Sequence, residues 1–363
     1  MRASDADWNS VQRLRSGSAL STGVGKEKKK GLNMILVVGG AYQGKEEYAA
    51  NTFPEKYKMI KDYQEIIREQ LKAGKEPLEE AKRLLAGKDR EKPDESEKFV
   101  ILCDEVGCGI VPMDAFERKW REQTGRVCCF LAERAEQVIR VQCGIGTVLR
   151  RKRQVFFFRH GATKGNREHR YVGSTDEALL PEGENALEAL LESPAFEQVR
   201  GEAKQVYVSP LVRCRQTAEL LFPELSQIAV PDLRECDFGA FEYKNYEELN
   251  GNPEYQKWID SYGACGFPGG ETKEEFTERC GKAFLQVVHS TEEERLLFVV
   301  HGGTIMALLD AFSSPHGDYY DWQVKNGEGF RGILVEEVGK KVRIEGITEM
   351  CAETILIRSR QKC

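Results

Sequence analysis

The sequence has no apolar run that approaches the roughly 18 to 20 residues needed to cross a bilayer. It has no excess of basic residues either, because 53 Lys and Arg against 59 Asp and Glu leave a net charge of −6. That balance argues against a general role on nucleic acids or membrane surfaces. Residues 1–33 lack the apolar core and cleavage site of a secretory signal. We therefore expect a cytoplasmic chain with a disordered leader over residues 1–33.

Cysteine is plentiful, but no two cysteines have the CxxC spacing of a zinc ribbon. The eleven cysteines are also odd in number, which disfavours a disulfide framework. We expect most of them to be small, reduced, apolar residues, and we expect no metal site.

Strand and helix patterns alternate along both halves of the chain, which predicts an α/β protein with a parallel sheet in each half. Residues 34–50 indicate a strand, a glycine turn and the start of a helix, and residues 98–112 a second strand. Residues 54–98 show charged segments with helical spacing. Residues 113–140 predict two helices, or one helix broken at Gly125.

A basic segment, LRRKRQ, separates the two halves and predicts a linker over residues 149–153. A nuclear signal is the less favoured alternative. The second α/β pattern begins at Val155 and ends in short strands with Gly339 in the turn between two of them. The predicted domains are residues 34–148 and 154–350, followed by a tail over residues 351–363.

Residues suited to phosphate chemistry recur where elements of the second half end. They are Arg159, His160, Thr163, Asn166, Ser209, Arg213, Glu235, Glu271, Arg279 and His301. His160 and His301 each follow an apolar run and precede glycine, so each should lie at the carboxyl end of a strand, where open α/β sheets bind ligands. Arginines there would bind a phosphate dianion through paired hydrogen bonds.

Two of these residue types support phosphoryl transfer. A neutral imidazole can attack phosphorus, and Glu235 could protonate the leaving group if burial raises its pKa. A single histidine at a strand end is more often structural than catalytic. The prediction therefore depends on the joint pattern.

Five motifs in this order resemble the histidine phosphatase superfamily, which has the phosphoglycerate mutase-like α/β/α fold. They are RHGATKGN with RYVGSTDEALLPEG, VYVSPLVRCRQTA, LRECDFGAFE, GGET and VVHGG, and they span residues 154–350. The resemblance implies that His160 is the phosphohistidine nucleophile and Glu235 the proton donor. It assigns the phosphate pocket to Arg159, Arg213 and His301. It assigns substrate contacts to Thr163, Asn166, Ser209 and Gly302, and no metal.

Two residues depart from that family's pattern. Phe241 stands where tryptophan is common, and Tyr243 stands where glycine usually follows the glutamate. Both lie close in sequence to Glu235, the predicted proton donor, and could alter the entrance to the substrate site.

In the first half, GGAYQGKE contains the GxxxxGK part of a P-loop between a strand and a helix. Such a loop would place a nucleotide phosphate on residues Gly39, Gly40, Gln43, Gly44 and Lys45. Glu46 stands where a Ser or Thr would hold Mg²⁺. A plain glycine turn remains the alternative.

Residues 34 to about 147 resemble the adenosylcobinamide kinase/adenosylcobinamide-phosphate guanylyltransferase family. That family transfers guanylyl through a histidine, whereas none of the five histidines of this chain precedes His160. We therefore expect no guanylyltransferase activity. The resemblance leaves open a kinase that uses GTP or ATP with Mg²⁺ at Asp104 and Glu105, or a module that docks other corrinoid enzymes.

Both resemblances imply the assembly of the cobalamin nucleotide loop. The predicted activity is that of an α-ribazole 5′-phosphate phosphatase, which acts on a small phosphate ester without nucleic acid or membrane as a partner. A broad-specificity phosphatase or a phosphoglycerate mutase with a docking module is the alternative.

Overall fold

The computed structural model describes residues 33–86, 98–197, 199, 201, 203–261 and 263–351. The predicted leader, except for Asn33, and the predicted tail beyond Cys351 lie outside these residues. The chain forms two compact units that divide between Thr147 and Val148. Within the described ranges, no helix is long and apolar enough to cross a bilayer.

The first unit has a parallel sheet. Its strands are β1 (Asn33–Gly39), β2 (Tyr57–Ile60), β3 (Lys98–Asp104) and β4 (Gln137–Gln142), in the order β2-β3-β1-β4. Its helices are α1 (Lys45–Thr52), α2 (Tyr63–Lys72), α3 (Pro77–Ala86) and α4 (Ala115–Arg134). Val37, Val100 and Ile139 are buried in its core. The parallel sheet confirms the α/β prediction for this half.

Two details of the first unit differ from the prediction. Helix α4 runs without a break through Gly125 because Asp114 caps it, with Oδ1 2.9 Å from Glu117 N, and because Val127 and Leu131 bury one side. One exposed glycine costs a helix only about 1 kcal/mol. Strand β2 was not predicted, since it has four residues and is flanked by charged ones.

The second unit has a larger mixed sheet. Its strands are β5 (Ile145–Arg159), in which the division between the units falls, β6 (Gln205–Val208), β7 (Ser226–Ala229), β8 (Arg295–Val300), β9 (Ser313–Ser314), β10 (Gly329–Glu337) and β11 (Arg343–Met350). Strands β5, β8, β6 and β7 form a parallel ladder, and β10 pairs antiparallel to β5 and β11.

Helices lie on both faces of that sheet. They are α5 (Lys164–Arg167), α6 (Pro181–Leu191), α7 (Pro194–Glu197), α8 (Val212–Leu221), α9 (Tyr246–Leu249), α10 (Pro253–Asp260), α11 (Lys273–Ser290) and α12 (Gly302–Phe312). The three phenylalanines of β5 alternate between the faces, as successive strand residues must. Phe157 packs in the cluster that contains Phe284 and Leu308, while Phe156 and Phe158 pack in the other. The predicted α/β/α arrangement follows.

The predicted linker over residues 149–153 is wrong, because this segment is part of β5. Residues 150–153 pair with β10, where Glu336 lies opposite Arg151. The side chain of Arg153 is fully buried, with Nη1 2.8 Å from Thr291 O, Nη2 2.7 Å from Val288 O and Glu336 2.7 Å away. Acidic residues of β10 and helix-end carbonyls therefore compensate the charge that made this segment look like a solvated linker.

Candidate active site

Three neighbouring parallel strands end together in the second unit. Arg159 at the end of β5 lies beside Val300 of β8, and β6 pairs with β8 through Val208 and Val299. His160 and His301, the residues that follow β5 and β8, are 4% and 0% exposed. Their ring centroids lie 5.2 Å apart at an interplanar angle of 68°. The structure thus brings the two strand-end histidines together.

The imidazole of His160 has a defined tautomer. Its Nδ1 lies 2.7 Å from the carbonyl oxygen of Gly161. Because a carbonyl only accepts, Nδ1 carries the proton of the neutral ring and Nε2 keeps its lone pair. Burial, and then the charges of Arg213 and Arg159, holds the pKa of His160 well below its ordinary value. His160 is therefore neutral and unprotonated on Nε2 at neutral pH.

Arg213 is fully buried and organises the pocket wall. Its Nη1 donates to Thr175 O at 2.7 Å, its Nη2 to Gly173 O at 3.0 Å, and its Nε lies 3.3 Å from Nδ1 of His301. His301 Nε2 in turn lies 2.7 Å from the hydroxyl of Ser209. Since His301 Nδ1 accepts from Arg213, its Nε2 carries the proton. Ser209 is fully buried and contacts His301; its predicted contact with substrate stays a prediction.

Arg159 has a buried donor without a partner among the described residues. Its Nη1 donates to Val324 O at 2.7 Å, but its buried Nε has no hydrogen-bond partner among the described residues. A side chain at Gly302 would place its Cβ 3.2 Å from that Nε. Buried donors are almost always satisfied, so this nitrogen is suited to a phosphate oxygen, and Gly302 leaves room for it.

Glu235 faces the amino end of α12. Its Oε2 accepts from Gly303 N at 3.1 Å and its Oε1 from Cys236 N at 3.0 Å. Burial raises the pKa of the carboxyl, although these N–H groups and the two arginines, Arg213 and Arg159, act in the opposite direction. A Cβ at Gly303 would lie 2.2 Å from Glu235 Oε1. Only glycine at this position lets the carboxyl occupy its place.

Glu271 of the GGET motif and Arg279 hold the loop that carries Glu235. Arg279 makes two hydrogen bonds to Glu271, at 2.6 and 2.7 Å, and donates to Glu235 O at 3.2 Å. The Glu271 carboxylate also accepts a hydrogen bond from Asp237 N at 2.9 Å. These two residues therefore position the backbone on both sides of Glu235.

Thr163 and Asn166 close the first turn after His160. Thr163 is fully buried and caps α5, and Asn166 Oδ1 accepts from Thr163 N at 3.2 Å. Such a reciprocal cap fixes the path of the loop. Their predicted contacts with substrate stay predictions.

The two departures from the family pattern have separate explanations. Tyr243 has φ +58°, in the left-handed region that favours glycine. Its hydroxyl donates to Glu177 at 2.7 Å, and Arg170 lies 5.0 Å from its ring centroid. Phe241 is fully buried and packs edge-on against Tyr255 at 5.4 Å, so it fills an aromatic core.

Sequence reasoning missed three residues that contact the site. Thr217 Oγ1 accepts from Gly161 N at 3.0 Å, Gly303 contacts Glu235, and Asn326 Nδ2 donates to His160 O at 3.1 Å. Thr217 could have been found, because it lies one helical turn after Arg213. Asn326 gave no signal, since it lies in a loop far from His160 in sequence.

The glycine–lysine loop, residues 39–45, forms a separate candidate site in the first unit. Lys45 is buried, and its Nζ lies 2.5 Å from Asp104 Oδ1 and 2.7 Å from Gly40 O. Gly44 adopts φ +81° before α1. In the described chain, none of the backbone N–H groups of residues 41–44 donates to a protein acceptor. This arrangement can bind an anion if Lys45 exchanges its partner.

Other polar side chains around the loop are engaged. Glu46 points to Lys61, with the charged atoms 2.6 Å apart at the exposed surface, so it does not face the loop. Gln43 Oε1 accepts from Cys143 N at 2.8 Å. Glu105, the second predicted Mg²⁺ ligand, pairs with Arg140 at 3.0 Å.

Residues 155–331 match the model for the histidine phosphatase superfamily (branch 1). Residues 59–149 match the model for cobinamide kinase / cobinamide phosphate guanyltransferase. This match begins after the glycine–lysine loop. The uncharacterized phosphatase PhoE of Bacillus subtilis (strain 168) is 30% identical over 162 residues, which cover 44% of this chain and 77% of that protein. The chain belongs to the histidine phosphatase superfamily, and it carries a cobinamide kinase-like region beside the phosphatase domain.

Two further similarities describe the phosphatase region. Phosphoglycerate mutase-like protein 4 of Arabidopsis thaliana is 28% identical over 163 residues, which cover 43% of this chain and 70% of that protein. The solved α-ribazole phosphatase from Shigella flexneri aligns with a TM-score of 0.45 and 21% identity, and the alignment covers 53% of this chain and 94% of that structure.

Proposed function

We propose that the second unit hydrolyses phosphomonoesters through a phosphohistidine at His160, and that its substrate is α-ribazole 5′-phosphate. One observation carries the chemistry. The imidazole of His160 is neutral and buried, with its Nε2 lone pair free, in a pocket that also holds Arg159, Arg213 and Glu235.

In the first step His160 Nε2 attacks phosphorus and the bond to the ester oxygen breaks. Arg159 and Arg213 stabilise the charge on the phosphoryl oxygens, and the spare Nε of Arg159 donates to one of them. Glu235, which burial keeps protonated to higher pH than an ordinary carboxyl, gives its proton to the leaving alkoxide. The products are the alcohol, the phosphohistidine and the Glu235 carboxylate.

In the second step the Glu235 carboxylate takes a proton from water, and the water oxygen attacks phosphorus. The P–N bond breaks, inorganic phosphate leaves and His160 Nε2 regains its lone pair. The proton taken from water stays on the Glu235 carboxyl, so the cycle closes without a net change in the protein. Each group acts as donor once and as acceptor once.

The choice of α-ribazole phosphate rests on the domain pairing. A region matching the cobinamide kinase model lies in the same chain as the phosphatase domain. Fused domains commonly serve consecutive steps, and this supports a substrate from the same pathway. That support is an association between domains and not a contact in the site.

A second candidate, a broad phosphatase or a phosphoglycerate mutase, is favoured by the similarity to phosphoglycerate mutase-like protein 4. The catalytic groups suit either activity. A mutase would return the phosphoryl group to a bound glycerate before water reaches the phosphohistidine.

The test compares kcat/KM for α-ribazole 5′-phosphate, 3-phosphoglycerate and p-nitrophenyl phosphate on the full chain. We expect α-ribazole phosphate to exceed the other two by about 10²-fold or more, a difference that pocket contacts can supply. Equal values would contradict the substrate and leave the histidine chemistry standing. A preference for phosphoglycerate with isomerised product would favour the mutase.

For the first unit we propose nucleotide binding at the glycine–lysine loop. The N–H groups of residues 41–44, which have no protein acceptor among the described residues, and the buried Lys45 support a phosphate there. ATP or GTP would supply the phosphates, and Asp104, released from Lys45, could hold the accompanying Mg²⁺ with Glu105. The absence of histidine in this half disfavours guanylyl transfer. A docking module for other corrinoid enzymes remains the alternative if no nucleotide binds.

A further inference from the structure

We propose that Asn326 is a positioning residue for the phosphatase, acting through His160 and Asn166. The inference rests on the proposed phosphohistidine mechanism. Asn326 is half-buried in the loop between Trp322 and β10, far in sequence from every predicted catalytic residue.

The Asn326 amide contacts both ends of the loop from His160 to Asn166. Its Nδ2 donates to His160 O at 3.1 Å and to Asn166 Oδ1 at 3.0 Å, and it lies 3.5 Å from Gly161 O. The Gly161 carbonyl is the acceptor that fixes the tautomer of His160. Both N–H bonds of Asn326 Nδ2 are engaged in this way, so Asn326 holds the His160 carbonyl and, through the backbone, the adjoining Gly161 peptide whose oxygen fixes the His160 tautomer.

The same amide fixes the orientation of Asn166. Three donors converge on Asn166 Oδ1: the backbone N–H and the hydroxyl of Thr163, at 3.2 and 3.1 Å, and Asn326 Nδ2. An oxygen must occupy that position, so the amide cannot flip. The other end of the Asn166 amide, Nδ2, is therefore the donor, and among the described residues it donates to no protein acceptor. Asn326 thus helps to fix which end of the Asn166 amide is the donor.

Loss of the Asn326 side chain should not unfold the loop. Backbone hydrogen bonds join the two segments independently, from Gly327 N to His160 O at 3.2 Å and from Arg159 N to Glu328 O at 2.9 Å. These bonds remain in Asn326→Ala. The variant therefore separates side-chain positioning from folding.

The experiment measures kcat/KM with p-nitrophenyl phosphate for the full-length wild type, Asn326→Ala, Asn166→Ala and the double variant. Misplacement of reacting groups by about 1 Å can cost about 10²-fold, and we expect a loss of that order for Asn326→Ala. Because Asn326 acts through Asn166, its loss should be smaller in the Asn166→Ala background. An equal loss in both backgrounds, or no loss, would overturn the inference.

The matched control is Asn252→Ala. Asn252 caps α10 by accepting from Glu254 N at 2.9 Å and from Tyr255 N at 3.4 Å, and its side chain has no hydrogen bond to a site residue among the described residues. We expect this variant to lower the melting temperature without a change in kcat/KM. Asn326→Ala should show the reverse.

A second readout does not depend on turnover. With only five histidines in the chain, long-range ¹H–¹⁵N spectra resolve each imidazole, and His160→Ala identifies the His160 signal. We expect the Nδ1-protonated tautomer in the wild type and a mixture of tautomers in Asn326→Ala. An unchanged tautomer in a folded variant would contradict the inference. A wild type without phosphatase activity would end the proposed function, and this spectrum would still decide the role of Asn326.

Discussion

The loop after β5 and the glycine–lysine loop after β1 occupy equivalent places, each leading from a buried parallel strand toward a helix. In the second unit, several groups from different elements converge, and Arg159 Nε has no protein partner among the described residues. In the first unit, one buried lysine faces the loop and is already paired with Asp104 at 2.5 Å.

This difference shows why a loop and a catalytic site are not equivalent. A loop supplies backbone N–H groups and one cation, which is enough to bind a phosphate. Transfer also needs a nucleophile of defined tautomer and an acid whose pKa is raised. The Gly161 carbonyl fixes the tautomer of His160, and burial raises the pKa of Glu235.

Removal of the nucleophile should have the largest effect. His160→Ala should reduce turnover of every phosphate ester to background, because the covalent step has no substitute. The rate of phosphate release measures this loss of turnover. His289→Ala is the control, since His289 lies exposed at the end of α11. Retained phosphatase activity in His160→Ala would contradict the proposed mechanism.

Removal of the acid should have the next largest effect. Glu235→Gln should slow alkyl phosphates by about 10²- to 10⁴-fold and p-nitrophenyl phosphate far less, because nitrophenolate leaves without a proton. Initial rates on the two classes of ester measure this ratio. Equal losses on both would mean that Glu235 is not the donor.

The pH dependence follows from the same assignments. Glu235 donates only when protonated and its pKa is raised, so wild-type turnover of alkyl phosphates should fall as pH rises through that pKa. The pKa of His160 is lowered, so the acid limb should lie well below the ordinary imidazole range. Profiles of kcat/KM measure both limbs. An acid limb near pH 6.5, the ordinary pKa of histidine, would contradict the buried neutral imidazole.

A smaller effect is expected at Gly303. Gly303→Ala would place a methyl group 2.2 Å from Glu235 Oε1, so the carboxyl must move. We expect a loss of about 10-fold or more on alkyl phosphates. Gly281→Ala in α11 is the control, because its Cβ would meet no atom closer than 3.7 Å. Equal rates in the two variants would show that Glu235 does not depend on this glycine.

The smallest effect on the phosphatase is expected at the glycine–lysine loop. Lys45→Ala should leave kcat/KM for phosphate esters unchanged and weaken ATP or GTP binding by about 10-fold or more, since a charge-assisted hydrogen bond is lost. Calorimetric titration with and without Mg²⁺ measures the nucleotide affinity. Lys61→Ala, at an exposed pair, is the control. Nucleotide binding unaffected by Lys45→Ala would contradict the loop site.

Much of the fold and of the phosphatase site could be predicted, because the signals are local. The strand before His160 is an unbroken apolar run, which is typical of a parallel strand buried on both faces, and a residue that ends such a strand reaches the ligand edge of the sheet. The sequence therefore places two histidines at strand ends, and the pairing of β5 with β8 brings their rings to 5.2 Å.

The remaining features depend on contacts that sequence order does not reveal. Arg153 reads as part of a basic linker until Glu336 of β10 and the carbonyls at the end of α11 are placed beside it. Asn326 has no local pattern, because its role comes from three oxygens brought to it by the fold. Ser209 has the right position in sequence, but its hydroxyl contacts His301.

The central claim is a covalent phosphohistidine at His160, and rapid acid-free quenching of the full chain with ³²P-labelled p-nitrophenyl phosphate tests it most directly. We expect a labelled protein whose phosphate is stable in alkali and lost in acid, with the label on the peptide that contains His160. Phosphate release without labelled protein at any quench time, or label on another residue, would contradict the account.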